Sequence, residues 1–227
     1  MARDTLTREQ IVRTTVAMLD SDGLDAFSMR ALGARLGSAA TAVYWHIESK
    51  DRLVRLAADD VWSEIQLPDL AVEWRTAATA MATALYQVFV RHPWLVQAFS
   101  AGSHFMYGPG KARYDDHSLA VYERAGFLGP EADRATATVF MFVLGSALAE
   151  AAVVGLRRRL SHDGADADEL IRDAIGRASE IGMGFPRLRA RLEAGVTVGY
   201  AAAPEKSFEF GLRVILDGLE SALRSGS

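Results

Sequence analysis

The chain has 227 residues, half of them hydrophobic and 24% charged, with 19 glycines, six prolines and no cysteine. That length and apolar content support a sizeable core and exclude a disordered chain, while the missing cysteine excludes disulfides and thiolate metal sites. The net charge of −4 is unevenly spread: residues 1–55 carry eight Lys/Arg against seven Asp/Glu and the remainder stands at −5, so only the first quarter suits a phosphate polymer. Met1 to Leu6 contains charges and no apolar run, so no signal peptide is expected there.

Thr7-Arg8-Glu9-Gln10 has capping-box spacing, with Thr7 as N-cap and Gln10 reaching back. Ile11, Thr15, Met18 and Leu19 then share one face of a helix predicted to run to about Asp22, and Gly23 suits a left-handed end. A second helix opens after Ser28 and carries Met29, Leu32 and Leu36 inward, with Gly37 ending it. A short helix covers about 39–46, and Ser49 caps a fourth that runs to about Ile65. Two helices joined by a three- or four-residue turn cross closely, which needs a small residue at Gly33 and positive φ at Gly37. Val43 closes that small core, and the pattern reads as a helix-turn-helix whose 39–46 helix enters the major groove. A helical hairpin that merely packs has the same spacing.

The segment Val43-Tyr44-Trp45-His46-Ile47-Glu48-Ser49-Lys50-Asp51-Arg52-Leu53 resembles the TetR family of bacterial repressors, and its Tyr-Trp-His order is close to the tetracycline repressor branch. The resemblance covers about the first 60 residues and resumes at Phe208-Glu209-Phe210-Gly211-Leu212, Ile215-Leu216 and Gly218-Leu219-Glu220. It implies phosphate contacts from Tyr44, His46 and Lys50, and from Arg30 a contact to phosphate or a guanine edge. Trp45 remains open between core packing and DNA contact. Ser38 to Ala42 has no Arg, Gln or Asn for a bidentate base contact, and Ala40 stands where the branch has glutamine. Base reading is therefore left to methyl contacts from Ala40, Thr41 and Ala42.

From Val54 onward an acidic, aromatic-rich segment predicts a second helical domain, giving an all-α chain divided at 1–55 and 56–227. Helices are predicted at about 71–91, 93–100, 110–125, 130–159, 166–181, 187–195 and 205–224. Ala135 to Leu156 has one charge, Glu150, before Arg157, Arg158 and Arg159. Its length and flanks fit a membrane span, as in a membrane-anchored sensor; its alanines, threonines and Glu150 fit a buried helix. The last helix carries Phe208, Leu212, Ile215, Leu219 and Ala222 at spacings of four, three, four and three, a helix-packing seam.

The resemblance implies that these last two long helices form a four-helix bundle with a second subunit. Val139, Val143 and Ala147 would join Phe208, Leu212, Ile215 and Leu219 in a homodimer interface, which removes the need for a membrane. It also implies an effector cavity, for which the aromatic candidates are Tyr86, Phe89, Trp94 and Phe99, then Phe105, Met106, Phe140 and Phe142. Gln97, His104 and Glu150 would supply polar contacts, and the set suits a bulky, mostly apolar compound. His92, His104 and His117 form no recognisable ligand set, so neither metal nor cofactor is expected. No HExxH, GxSxG or phosphate-binding glycine loop is present, which opposes an enzyme. The resulting expectation is a cytoplasmic, dimeric repressor released from a palindromic operator by a small molecule, with an activator of the same fold as the alternative.

Overall fold

Thr7 starts the first helix as its spacing predicts: its hydroxyl accepts from the Gln10 amide at 3.2 Å, and the Gln10 carboxamide accepts from the Thr7 amide at 2.9 Å. In the computed structural model, which describes residues 6–100, 108–162, 166–195 and 204–225, α1 spans Arg8–Ala26 with a break at Gly23, where φ is 82°. α2 (Met29–Arg35) opens on the Ser28 cap, Gly37 turns the chain at φ 63°, and α3 (Ala40–His46) follows. Ser49 caps α4 (Lys50–Ser63). Ile11, Leu19, Leu32, Val43, Ile47 and Leu53 are buried together between α1, α2, α3 and α4, a small core that holds α3 by its inner face.

The larger part comprises α5 (Trp74–Arg91), α6 (Pro93–Ser100), α7 (Pro109–Ala125), α8 (Pro130–His162), α9 (Ala167–Gly182), α10 (Pro186–Glu193) and α11 (Pro204–Ser225); among the described residues there is no strand. α5 begins three residues later than the hydrophobic pattern suggests because Glu73 takes the N-cap, its carboxylate accepting from the Arg75 and Thr76 amides at 3.0 and 2.9 Å. Those bonds hold the Glu73 carboxyl below the usual range. α8 packs against α5, α6, α7 and α11. Pro130–Arg158 is long and apolar enough to cross a membrane, an 18-residue stretch of it having a mean hydropathy of 2.1, yet one face of it lies in this core.

The predicted dimer residues need correction. Val139, Val143, Ala147, Phe208 and Leu212 are buried within one protomer, and Ile215 and Leu219 pack against the same core. The α11 seam therefore closes on its own α8 and α5; periodicity marks a packing face without saying which helix meets it. On these two helices the large apolar side chains left in the open are Met141, Leu148, Val153 and Leu156 of α8 and Phe210 and Val214 of α11.

The two parts are joined by Asp20. Its Oδ1 accepts from the Trp94 indole at 2.8 Å and lies 2.7 Å from His92 Nδ1, while its backbone carbonyl accepts from Arg158. Trp94 and His92 are both buried, and His92 Nε2 faces Glu64 at 3.7 Å. His92 and Trp94, where α5 passes into α6, thus meet the Asp20 carboxylate, while Arg158 of α8 holds the Asp20 carbonyl and Glu64 at the end of α4 faces His92.

Replacing Trp94 by Phe keeps the ring but removes a donor to this charge, and the unfolding free energy is expected to fall by about 2 kcal/mol in urea titration. Glu73→Ala removes the α5 cap and should cost about 1 kcal/mol at neutral pH. Because the folded Glu73 carboxyl titrates below its unfolded value, its contribution is present above pH 4.5 and lost as pH falls through the lowered value. Thermal melts of wild type and variant should therefore converge in acid.

Candidate DNA-binding surface and effector cavity

Val43 and Ile47 point into the head core, so the opposite side of α3 faces solvent. Thr41, Tyr44, Trp45 and His46 are exposed there, and Ala42 is half-buried. Trp45 is 90% exposed, which decides against core packing, and Tyr44 is 48% exposed. Arg30 lies exposed on α2. Ala40 opens α3, with its side chain outside the described set. Lys50 stands differently from expectation: its ammonium donates to the Phe27 carbonyl at 2.7 Å and lies 5.7 Å from the Phe27 ring centroid. It fastens the C-terminal end of α1 to the first turn of α4, so one of its three protons is already committed.

A cavity of about 390 Å³ lies between α5, α7 and α8. α5 contributes Ala78, Met81 and Ala82; α7 contributes Lys111, Tyr114, Asp115, Ser118, Leu119, Val121 and Tyr122; α8 contributes Asp133, Thr136, Ala137, Val139 and Phe140. Burial pushes the Tyr114 and Tyr122 phenols well above their ordinary range, so both stay protonated at any physiological pH. Among the described residues, buried Thr136 Oγ1 has no hydrogen-bond partner. At one end Lys111 pairs with Asp115 at 2.6 and 2.7 Å, and its ammonium lies 5.1 Å from the ring centroids of both Trp62 and Phe140. The chamber is thus apolar along α5 and mixed along α7 and α8, where hydroxyl groups, an ion pair and the Asp133 carboxylate join apolar side chains.

Among the described residues, Phe140 is the sequence candidate that lines this cavity. Phe89 and Phe99 fill the core beside it, packed edge-on to Trp62 at 6.0 and 6.2 Å between ring centroids. Trp94 belongs to the Asp20 junction. Tyr86 is hydrogen-bonded to Glu150 and stacks on Phe208 at 4.2 Å, with Phe142 on the same Phe208 ring at 5.6 Å, so these three candidates sit where α5, α8 and α11 meet. Gln97 is half-buried on α6 beside Gly155 of α8. His104, Phe105 and Met106 lie outside the described residues. The overlooked lining is the α7 face at 111, 114, 115, 118 and 122, whose three- and four-residue spacing puts Lys, Asp, Ser and Tyr on one inward side. A polar stripe at helical period within an apolar domain was the available signal. Among the described residues no group of three His, Asp or Glu side chains converges as a metal site.

Comparison with known proteins agrees with this layout. Residues 11–57 match the family described as bacterial regulatory proteins, tetR family, and residues 67–223 match the tetracyclin repressor-like C-terminal domain. The chain is 30% identical to the HTH-type transcriptional repressor DrrR1 of Streptomyces coeruleorubidus, over 96% of its own length and 78% of that protein. It is 36% identical to an HTH-type transcriptional regulator of Saccharopolyspora erythraea over 64% of its own length, a match spanning 61% of that relative. Among solved structures it resembles the Streptomyces coelicolor TetR family protein ActR in complex with actinorhodin, with a TM-score of 0.74, 25% identity and coverage of 97% of this chain and 98% of that one. With a head that presents an exposed recognition helix, a second helical part that encloses a cavity, and both segments matched in order, the chain belongs to the TetR family of DNA-binding, ligand-responsive transcriptional regulators.

Proposed function

We propose that the protein is a cytoplasmic, dimeric repressor whose 1–55 head grips a palindromic operator and whose 56–227 part releases it when a bulky, mostly apolar effector enters the cavity between α5, α7 and α8. The observation that carries this reading is the outer face of α3: Tyr44, Trp45 and His46 are exposed on a helix anchored by buried Val43 and Ile47. Tyr44 and His46 donate to phosphate oxygens, which set register without reading sequence. Trp45, Thr41 and Ala42 offer apolar contacts to thymine methyls, and Arg30 is the group able to read a guanine edge. Lys50 acts chiefly by fixing α4 against α1, with a phosphate contact left to its remaining protons. The likeness to ActR, solved in complex with actinorhodin, supports a chain that binds a small molecule.

Two copies pair through the α8 and α11 face left open in one protomer. Met141 is 62% exposed, Phe210 61% and Val214 50%, an apolar surface that a soluble monomer would leave in water. Gly145 and Gly218 have no atom within 4 Å of the place a Cβ would take, which leaves room for close approach by a partner helix. Such a pair reads half-sites about 34–36 Å apart.

Fluorescence anisotropy against duplexes selected from a random pool tests the reading, and salt-sensitive binding to a palindrome is the expected result. Tyr44→Ala should weaken binding by about fivefold to tenfold, the worth of one hydrogen bond, and leave the melting temperature unchanged. Lys50→Ala should lower both affinity and melting temperature, because it also uncaps α1. No binding at low salt by a folded dimer would overturn the proposal. Phe210→Glu should shift the sedimentation profile from dimer to monomer and abolish palindrome binding; a variant that remains dimeric would place the interface elsewhere.

A further inference from the structure

α7 begins without a cap of its own. Its N-cap residue is Gly108, which has no side chain, and Pro109 follows. The amides of Gly110 and Lys111 would be orphaned at such an end, but Asp59 of α4 supplies the acceptor: its Oδ1 takes both, at 2.8 and 3.3 Å. The service is returned at the other end of the contact. Arg113 of α7 donates through one nitrogen to the carbonyls of Ser63 and Ile65, at 3.2 and 2.8 Å, where α4 has run out of amides to bond. Each helix end is thus capped by the other helix, with a carboxylate at an N-terminus and a guanidinium at a C-terminus, the favourable sense for both helix dipoles.

The contact is also tight. A Cβ on Gly110 would stand 2.5 Å from both the Asp59 carbonyl oxygen and Ser63 Oγ, and a Cβ on Gly108 would overlap the Asp59 carboxylate. The two helices cannot shift here without breaking caps. Lys111 belongs to both neighbourhoods, since its amide bonds Asp59 while its side chain lines the cavity with Asp115. At its far end α4 is fastened to α1 through Lys50 and the Phe27 carbonyl.

We propose that this reciprocal cap, Asp59 on the first turn of α7 and Arg113 on the end of α4, is the joint that carries effector occupancy from the cavity to the DNA-binding head. It rests on the ligand-release reading and adds the route. A ligand seated against Lys111 and Tyr114 displaces the first turn of α7, and the caps oblige α4 to follow and re-aim α3. Coupling is reciprocal between sites, so operator binding must alter the same joint with no effector present.

That reciprocity permits a test without knowing the effector. Hydrogen exchange is measured on the full-length protein, alone and with a palindromic duplex selected from a random pool. Operator is expected to change exchange across 108–118 by about fivefold or more, remote from the DNA, and to slow 40–52 by direct contact. In Asp59→Ala, and separately in Arg113→Met, protection at 40–52 should persist while the response at 108–118 falls to under half of the wild-type change. A wild-type protein protected at 40–52 but unchanged at 108–118 overturns the joint, as do two variants that respond like wild type. Absence of binding to any duplex overturns the repressor reading and the joint together, so the two failures are distinguishable.

Discussion

Four helices of the larger part close around one indole. Trp62, fully buried near the end of α4, meets Phe89 of α5, Phe99 of α6, Tyr114 of α7 and Phe140 of α8 at ring-centroid distances between 5.2 and 6.4 Å. Four helices that are distant in sequence thereby share one contact on the helix that continues into the head. Burial of a ring this size contributes several kcal/mol, and edge-on aromatic pairs add directionality that aliphatic contacts lack. Among the described residues the buried indole N–H has no hydrogen-bond partner, a cost the surrounding packing offsets. The geometry explains why a cavity beside Phe140 and Tyr114 can influence α4: they are wall and core at once.

α8 shows the opposite economy. It is apolar around most of its circumference, a composition that fits a membrane span as well as a shared core helix. Its inner side, at Val139, Val143, Ala147 and Ala151, is buried within its own protomer, while Met141 and Leu148 are exposed. The same helix is thus apolar on buried and exposed sides alike, so a single count of apolar residues could not distinguish the alternatives.

Much of the fold was legible because local signals were unambiguous. The Thr7 capping box, the Ser28 and Ser49 caps and the positive φ at Gly23 and Gly37 all sit where side-chain chemistry and glycine placement put them. The outward face of α3 was legible for the same reason: Val43 and Ile47 fix its rotation. The cavity was not. Phe89, Phe99 and Trp94 occur at the same helical spacing as lining residues would, and whether an inward aromatic fills space or borders it depends on neighbours from three other helices. Lys50 and the α11 seam failed likewise: each was recognised as a contact residue, and its partner, the Phe27 carbonyl in one case and α8 in the other, lies far away in sequence.

The Asp20 junction bears on how separable the two halves are. A carboxylate on α1 that receives Trp94, together with a backbone carbonyl that receives Arg158, means the head is seated by groups belonging to the effector half. Transplanting a different DNA-reading head onto this chain is therefore not a matter of cutting at the start of α4. The incoming head must bring an acceptor at position 20 and a carbonyl capable of receiving the lysine at position 50. In a graft lacking them, operator specificity would change as intended while obedience to the effector was lost, because the new head would be tethered by the chain without being held by it.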